Sequence, residues 1–384
     1  MSKLDFELSE FEDRQRRTRQ AMEKTGIDLL MVVHPVNINY LIGSRIKGYQ
    51  ELQVLLFTLE PSDLTLLTRF ADVVEARDLS ISKDVRGLGR DPEDDPIDIL
   101  KSTLQEKGYL NRRIGLEVPK TYLSVHEYLK IKDILGDALV AEPTRLVEEL
   151  KFVKSPAELA YIWKASSIND AVQQTCIDTL AAGKTEFEVV AEMHRTMMAL
   201  GGDFTASPMN FVSGERTVYS HGFPSERRLN RGDLVQNEYG SSYRRYTCTI
   251  GRMLCLGEPT KRMMEVYQVV RDACDAAIAA IRPGVPATVP HEAAKKVIGD
   301  AGMEDGRWHL TGYGIAPGFP PSWGESLKMD GGGTDILQKN EVLSIEPPVF
   351  LPQEKLGVRI IDNVLVTDTG CEIMSKTSRD LVVV

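Results

Sequence analysis

The sequence predicts an α/β chain of two domains, an α/β N-terminal domain over residues 1–153 and an α+β C-terminal domain over residues 154–384. Three observations carry this. Hydrophobic periodicity alternates between the 3.6-residue repeat of helices and short apolar runs of strands. A capping box with proline at the first helical position, Ser155-Pro156-Ala157-Glu158, opens a long helix and marks a sharp boundary after Lys154. Finally, 384 residues with 42% hydrophobic and 27% charged content fill more than one core.

Taken in order, residues 11–24 have a helical pattern, and residues 28–33 (DLLMVV) form a strand that Pro35 stops. Apolar runs at 52–59, 64–68 and 114–118 are strands, with a helix around 123–134, an alternation expected of an α/β layer structure. The helix opened by Ser155 closes near Gly183. Thr185 to Glu188 repeats the capping logic and starts a helix that ends at Gly201-Gly202. Strands follow at 234–239 and 247–256, then a helix from about Arg262 to Ile281, which Pro283-Gly284 terminates. A helix at 290–301 precedes strands at 341–345 and 358–366.

Composition excludes several functions. A formal charge of -10 supplies no basic footprint for nucleic acid. There is no run of about 18 apolar residues, and the first ten residues are polar and acidic where a signal peptide is basic and then apolar, so the expected location is the cytoplasm. Five cysteines without CxxC spacing indicate neither a zinc knuckle nor a disulfide framework. Asp330-Gly331-Gly332-Gly333 lacks the lysine and helix of a phosphate loop, and there is no GxSxG elbow.

A series of phrases runs through nearly the whole chain: HPVNINYLIG from His34, ELKFVKSPAEL from Glu149, then FVSGERTVYSHG, RGDLV, IRPGV, LTGYGI, LSIEPPVF and GVRIIDNVLVTDTG. Together and in this order they resemble the pita-bread superfamily of creatinase, prolidase, aminopeptidase P, methionine aminopeptidase and ectoine hydrolase. The resemblance implies a creatinase-like N-terminal domain and a pita-bread C-terminal domain with a curved six-stranded sheet. It also implies a site on the concave face, and a homodimer that completes it.

Metal-dependent members hold two divalent ions with two aspartates, a histidine and two glutamates. The matching positions here are Glu238, Thr249, Tyr313, Glu346 and Ile361, so only Glu346 is unchanged. Two carboxylates and a phenol do not offset the charge of two divalent ions, and the expectation is therefore no metal and no cofactor. The metal-free members creatinase and ectoine hydrolase imply catalysis by histidine and carboxylates. The stretches EYGSSYRRYTCTIGR and GYGIAPGFPPSWGE resemble ectoine hydrolase most closely.

On this reading His221, matching the substrate-side histidine of the superfamily, moves a proton between water and the leaving nitrogen. Glu238 and Glu346 are the other catalytic candidates, one expected to be held protonated by the other, one serving as base or nucleophile. Tyr313, His309 and Arg359 are expected at the pocket. Trp323 and Glu325 offer an aromatic face beside a carboxylate for a small cation. Arg45 and Tyr49, in a segment that reaches the partner's site in similar dimers, are substrate-contact candidates.

The main functional expectation is a metal-independent hydrolase of a non-peptide C–N bond, amidine, guanidine or cyclic amide-like, in a small charged metabolite. The alternatives are an Xaa-Pro dipeptidase or aminopeptidase P-like metallopeptidase and a catalytically inactive binding protein. A lyase is also conceivable, because a carboxylate base alone can drive elimination. No nucleic-acid or membrane partner is expected.

Overall fold

The computed structural model of the chain describes residues 4–61, 64–91 and 93–384. Residues 1–3, which the signal-peptide reading included, lie outside it. The chain divides into two compact units, Met1–Lys151 and Phe152–Val384.

The first unit is built on strands β1 (Leu29–Val32), β2 (Val54–Thr58), β3 (Thr65–Arg69), β4 (Asp84–Leu88), β5 (Ile114–Leu116) and β6 (Leu139–Ala141), in sheet order β4-β3-β2-β1-β5-β6. β1 lies inside this sheet, antiparallel to β2 and parallel to β5, and all four of its residues are buried. A strand covered on both faces reads as a continuous apolar run, which is why DLLMVV was legible. Helices α1 (Leu8–Thr25), α2 (Pro35–Ile42), α3 (Val73–Leu79), α4 (Pro96–Glu106), α5 (Val125–Leu135) and α6 (Leu146–Phe152) complete the order.

Two differences from the sequence reading have local causes. Pro35 does not merely stop β1. It is the first residue of α2, where its fixed φ and missing N–H cost nothing, and the His34 ring accepts from the Val36 amide at 3.3 Å to cap it. The strand β4 and helix α4 were not anticipated, although Asp95-Pro96 is a cap followed by proline at the first helical position, with the Asp95 carboxylate 2.9 Å from the Ile97 amide.

Where β1 passes into α2, the fully buried Glu117 carboxylate accepts from the Val33 and His34 amides, each at 2.8 Å, and from the Asn37 side-chain amide. Burial nevertheless wins over these donors and pushes Glu117 up to about 7. Between the ordinary carboxylate value of 4.5 and about 7, the folded chain therefore holds a proton that the unfolded chain has released. This group's contribution to stability falls as pH rises through that window and is flat above it.

The second unit carries α7 (Pro156–Thr179), α8 (Glu186–Ala199), α9 (Lys261–Ala280) and α10 (Thr288–Asp300) against a nine-stranded sheet. Its strands are β7 (Asn210–Ser213), β8 (Leu234–Tyr243), β9 (Tyr246–Cys255), β10 (Gly312–Phe319), β11 (Ser322–Met329), β12 (Val342–Ile345), β15 (Asp362–Val366), β16 (Cys371–Ile373) and β17 (Val382–Val383). The hairpin β13 (Val349–Leu351) and β14 (Leu356–Val358) stands apart. The sheet runs β16-β15-β12-β10-β9-β8-β7, with β11 on β10 and β17 on β9, where six strands had been expected. Both capping boxes are present, Ser155 with Glu158 and Thr185 with Glu188. One core packs α9 and α10 residues such as Val270 and Ile298 with Leu343 and Ile345, and a second packs Val172 and Met193 with Tyr239 and Ile250. The five cysteines are unpaired, and the Cys248 thiol, raised by burial to about 12, is an inert core group.

Glu117→Gln keeps an acceptor for both amides, and Asn37, whose Oδ1 has no partner among the described residues, can turn to meet the new N–H. We expect the thermal midpoint of this variant to match the native chain near pH 5 and to exceed it near pH 8. A difference of the opposite sign would show that the buried carboxylate is stabilising as an anion.

Candidate active site

Strand register sets which side chains of the second unit meet. Asn210 on β7 stands opposite Glu238 on β8, and Glu238 stands opposite Gly251 on β9. Tyr313 on β10 stands opposite Ser344 on β12, which in turn stands opposite Asn363 on β15. Glu346 follows Ser344 by two residues, and Ser344 Oγ donates to its carboxylate at 2.9 Å. Just past β14, Arg359 crosses toward β8, and Ile361 pairs in an isolated bridge with Gly251.

Tyr313 is held between two glycines for steric reasons. A Cβ on Gly312 would lie 1.9 Å from the Ser344 carbonyl oxygen, and one on Gly314 would lie 2.8 Å from Glu325 Oε2. This close approach of β10 to its neighbours brings the Tyr313 hydroxyl 3.1 Å from Trp323 Nε1, which donates to it. The hydroxyl then donates to Glu346.

Glu238 is buried, 5% exposed, and does not face solvent. Its carboxylate takes the Arg359 guanidinium and the Asn210 amide, the latter at 2.9 Å. Burial lowers Arg359 to about 9, so it is charged at neutral pH. Glu346 has a separate set of partners: Ser344, Tyr313, and His309 Nδ1 at 3.3 Å. Burial pushes Glu346 up to about 7, against the opposing Ser344 and Tyr313 hydrogen bonds. The expectation that one carboxylate keeps the other protonated is therefore corrected: desolvation raises Glu346, and Glu238 is neutralised by an arginine.

His309 Nδ1 lies 3.1 Å from the Leu310 carbonyl oxygen, which can only accept, so Nδ1 carries the proton and Nε2 keeps its lone pair. Burial lowers the His309 pKa. His221, on the loop between β7 and β8, is exposed, with its ring 6.1 Å from that of His309 and nearly perpendicular to it. The part of the ring turned to the protein is desolvated, and this lowers its pKa first, ahead of the positive charge of Arg359 and of His309. His221, His309, Glu346, Tyr313, Arg359 and Glu238 thus form one connected group.

Other expected residues have different partners. Glu325 is buried and paired with Lys154 at 2.8 Å, so its carboxylate is committed inside the fold and not offered to a cationic ligand. Trp323 is buried, with its N–H on Tyr313. Arg45 and Tyr49 lie in the first unit, where Arg45 pairs with Asp5 at 2.7 Å and Tyr49 meets Tyr122 edge-on at 6.2 Å. Sequence reasoning missed Asn210, Ser344, Asn363 and Lys154. Asn363, two residues beyond Ile361 in the GVRII phrase, and Lys154, inside FVKSPAE, both sat in the motifs that were singled out.

The five positions matching a paired-metal site do not fit two divalent ions. Thr249 Oγ1 accepts from Asn363 Nδ2 at 2.7 Å, Ile361 is a fully buried hydrocarbon, and Glu238 is already neutralised. Among the described residues, no three His, Cys, Asp or Glu side chains are grouped to hold a metal. No helix among them is long and apolar enough to cross a membrane.

Residues 160–368 match the family described as metallopeptidase family M24, and residues 14–153 match the creatinase/prolidase N-terminal domain. An Xaa-Pro dipeptidase of Pyrococcus furiosus is 30% identical over 363 residues, 94% of this chain and 97% of that protein. Another, of Pyrococcus horikoshii, is 29% identical over 70% of this chain and 71% of its own length. The crystal structure of a recombinant prolidase from Thermococcus sibiricus covers 97% of this chain and 99% of its own, with a TM-score of 0.87 and 26% identity. These relatives overturn the expectation of an ectoine hydrolase- or creatinase-like enzyme acting on a non-peptide C–N bond.

Tyr313→Phe leaves the buried Trp323 N–H without its acceptor and Glu346 without one donor. We expect a loss of about 1–3 kcal/mol in urea denaturation. A change within error would mean that water replaces the hydroxyl and that the Trp323–Tyr313–Glu346 chain contributes little.

Proposed function

This chain belongs to metallopeptidase family M24, within the pita-bread superfamily, and we propose that it acts on the peptide C–N bond of Xaa-Pro dipeptides or closely similar small substrates. The observation that carries this reading is the likeness to the P. furiosus Xaa-Pro dipeptidase, which extends over both units and nearly all of either chain. A small charged substrate in a homodimer is part of the same reading, and a cytoplasmic location goes with it.

The side chains support specific roles. His309, with its proton fixed on Nδ1 by the Leu310 carbonyl, offers Nε2 as an acceptor for a proton from water. Glu346, raised to about 7, still holds a proton in a large fraction of molecules at neutral pH and can release it to a leaving nitrogen. His221 stands at the exposed side, where a neutral imidazole can bind or relay a proton. The paired-ion chemistry of the family does not fit these residues, and no step is drawn through it.

The same misfit favours a second reading, in which the chain binds such a dipeptide without cleaving it. Thr249 and Ile361 are the observation behind it, since neither supplies charge to the site.

The test is chromatographic detection of free proline from Ala-Pro and Met-Pro, with the full chain in chelated buffer and again with added manganese. Release of proline is expected, and His221→Ala and Glu346→Gln should each lower kcat/KM by about 10²–10⁴-fold. Binding of Ala-Pro by calorimetry without release of proline in either buffer would move the assignment to the binding protein. Neither binding nor release would sink both readings.

A further inference from the structure

Successive side chains of β8 point to opposite faces of the sheet. Glu238 meets Arg359 on one face, whereas its neighbour Asn237 meets Gln173 of α7 on the other, with Asn237 Nδ2 3.0 Å from Gln173 Oε1. On this second face α7 and the C-terminal segment form a cavity of about 360 Å³. Asp170, Gln173 and Ile177 line it from the helix, and Lys376, Thr377 and Val382 from the segment. The volume is at the small end of ligand sites, which run from about 300 to 1,000 Å³. The segment wall is held in place by Arg252, 2% exposed, whose Nε donates to the Ser378 carbonyl oxygen at 3.0 Å and to Thr377 Oγ1 at 3.2 Å.

The polar groups of this wall are incompletely used. Asn237 Oδ1 accepts from the Arg252 amide at 3.1 Å, so its nitrogen is the end facing Gln173, and Gln173 must present oxygen to it. Gln173 Nε2 is therefore on the other side of the group, buried and with no acceptor among the described residues, in a side chain that is 1% exposed and forms part of the cavity wall. A buried donor in that position calls for an oxygen. Asp170 and Lys376 add one charge of each sign. The Asp170 carboxylate accepts from Ser375 Oγ at 2.7 Å and from the Lys376 main-chain N–H at 3.1 Å, and two carboxylate oxygens have about four acceptor positions, which leaves room for a further donor. Lys376 meets Asp170 through its main chain and not through its ammonium. Ile177 and Val382 supply hydrocarbon.

We infer that this cavity binds a small zwitterion, a free α-amino acid with an aliphatic side chain. The ligand carboxylate lies between the Lys376 ammonium and Gln173 Nε2, its ammonium takes the remaining acceptor position of Asp170, and its side chain rests on Ile177 and Val382. A simple anion would be repelled by Asp170 and a simple amine by Lys376, so a ligand carrying both charges is the complementary one. None of these contacts involves a peptide bond or the group around Glu346, and the inference does not rest on the reading of the active site.

The experiment is titration calorimetry of the full chain with L-valine, with isovalerate, which lacks the ammonium, and with isobutylamine, which lacks the carboxylate. The proteins are the native chain, Lys376→Met, Asp170→Asn and His221→Ala. One equivalent of L-valine should bind each native chain, and the two singly charged analogues should bind more weakly. Lys376→Met, at an exposed position where the main-chain N–H on Asp170 is kept, should raise the Kd for valine by about 10-fold or more, the scale of one charged hydrogen bond. Asp170→Asn should weaken binding similarly, and His221→Ala should leave it unchanged. The inference is overturned if valine does not bind the native chain, if either analogue binds as tightly, or if Lys376→Met binds valine as the native chain does. Loss of binding in His221→Ala would also overturn it, by placing the amino acid at the active site. Should Asp170→Asn fail to fold, Lys376→Met and the analogues still decide.

Discussion

The buried pair of Glu238 and Arg359 is the interaction around which the site is organised. A carboxylate withdrawn from water must find a counter-charge, several hydrogen-bond donors or a proton. Glu238 takes the first course, with Arg359 against it and Asn210 across the β7–β8 ladder. Glu346 takes a mixture of the other two: Ser344, Tyr313 and His309 surround it, and its proton affinity still rises. The two carboxylates therefore have different electrostatic states at neutral pH although both lie in one sheet. That asymmetry has a local cause on each side and does not require them to share a proton.

Glycine and strand register supply the precision. Gly312 lets β10 approach β12 closely enough for Tyr313 to lie beside Ser344, and the β12–β15 register then brings Asn363 to Ser344. From there a line of neutral groups continues: Asn363 Nδ2 donates to Thr249 Oγ1, and Thr249 lies 3.5 Å from Ser344, which donates to Glu346. At the positions that the resemblance aligns with a paired-metal site, this chain has a hydrogen-bonded series of amide, hydroxyl and phenol. Such a series is tolerated in the interior because each member finds a partner.

Much of the fold was legible because its signals are local. Ser155-Pro156 and Thr185 with Glu188 announce helix starts whatever the tertiary setting, and both caps formed. Helix α2 was lost because proline after a strand has two meanings, and only His34 folding back on the Val36 amide selects between them. At the site, the recognised phrases were found, but Ser344, Asn363 and Lys154 inside them were passed over, because their roles depend on partners distant in the chain. Asn210 is 28 positions from Glu238, and Lys154 is 171 from Glu325; pairings at that separation are set by sheet order and leave no trace in local pattern. For the same reason the sequence could nominate Glu325 as a ligand-facing acid, whereas the fold commits it to Lys154.

The function was misjudged for a different reason. Loss of metal-ligand types is visible in the sequence, and it was taken to indicate which substrate the chain acts on. Those are separable properties. Ligand identity resides in five side chains, whereas likeness to Xaa-Pro dipeptidases extends across both units, including the 14–153 segment that carries none of the five. A scaffold built on register can stay in place while the side chains on it differ, because Thr249 and Tyr313 occupy ladder positions that a change of side chain does not move. Glu238 remains a buried charge that only a cation or a proton can offset, and Arg359 supplies the cation from within the chain.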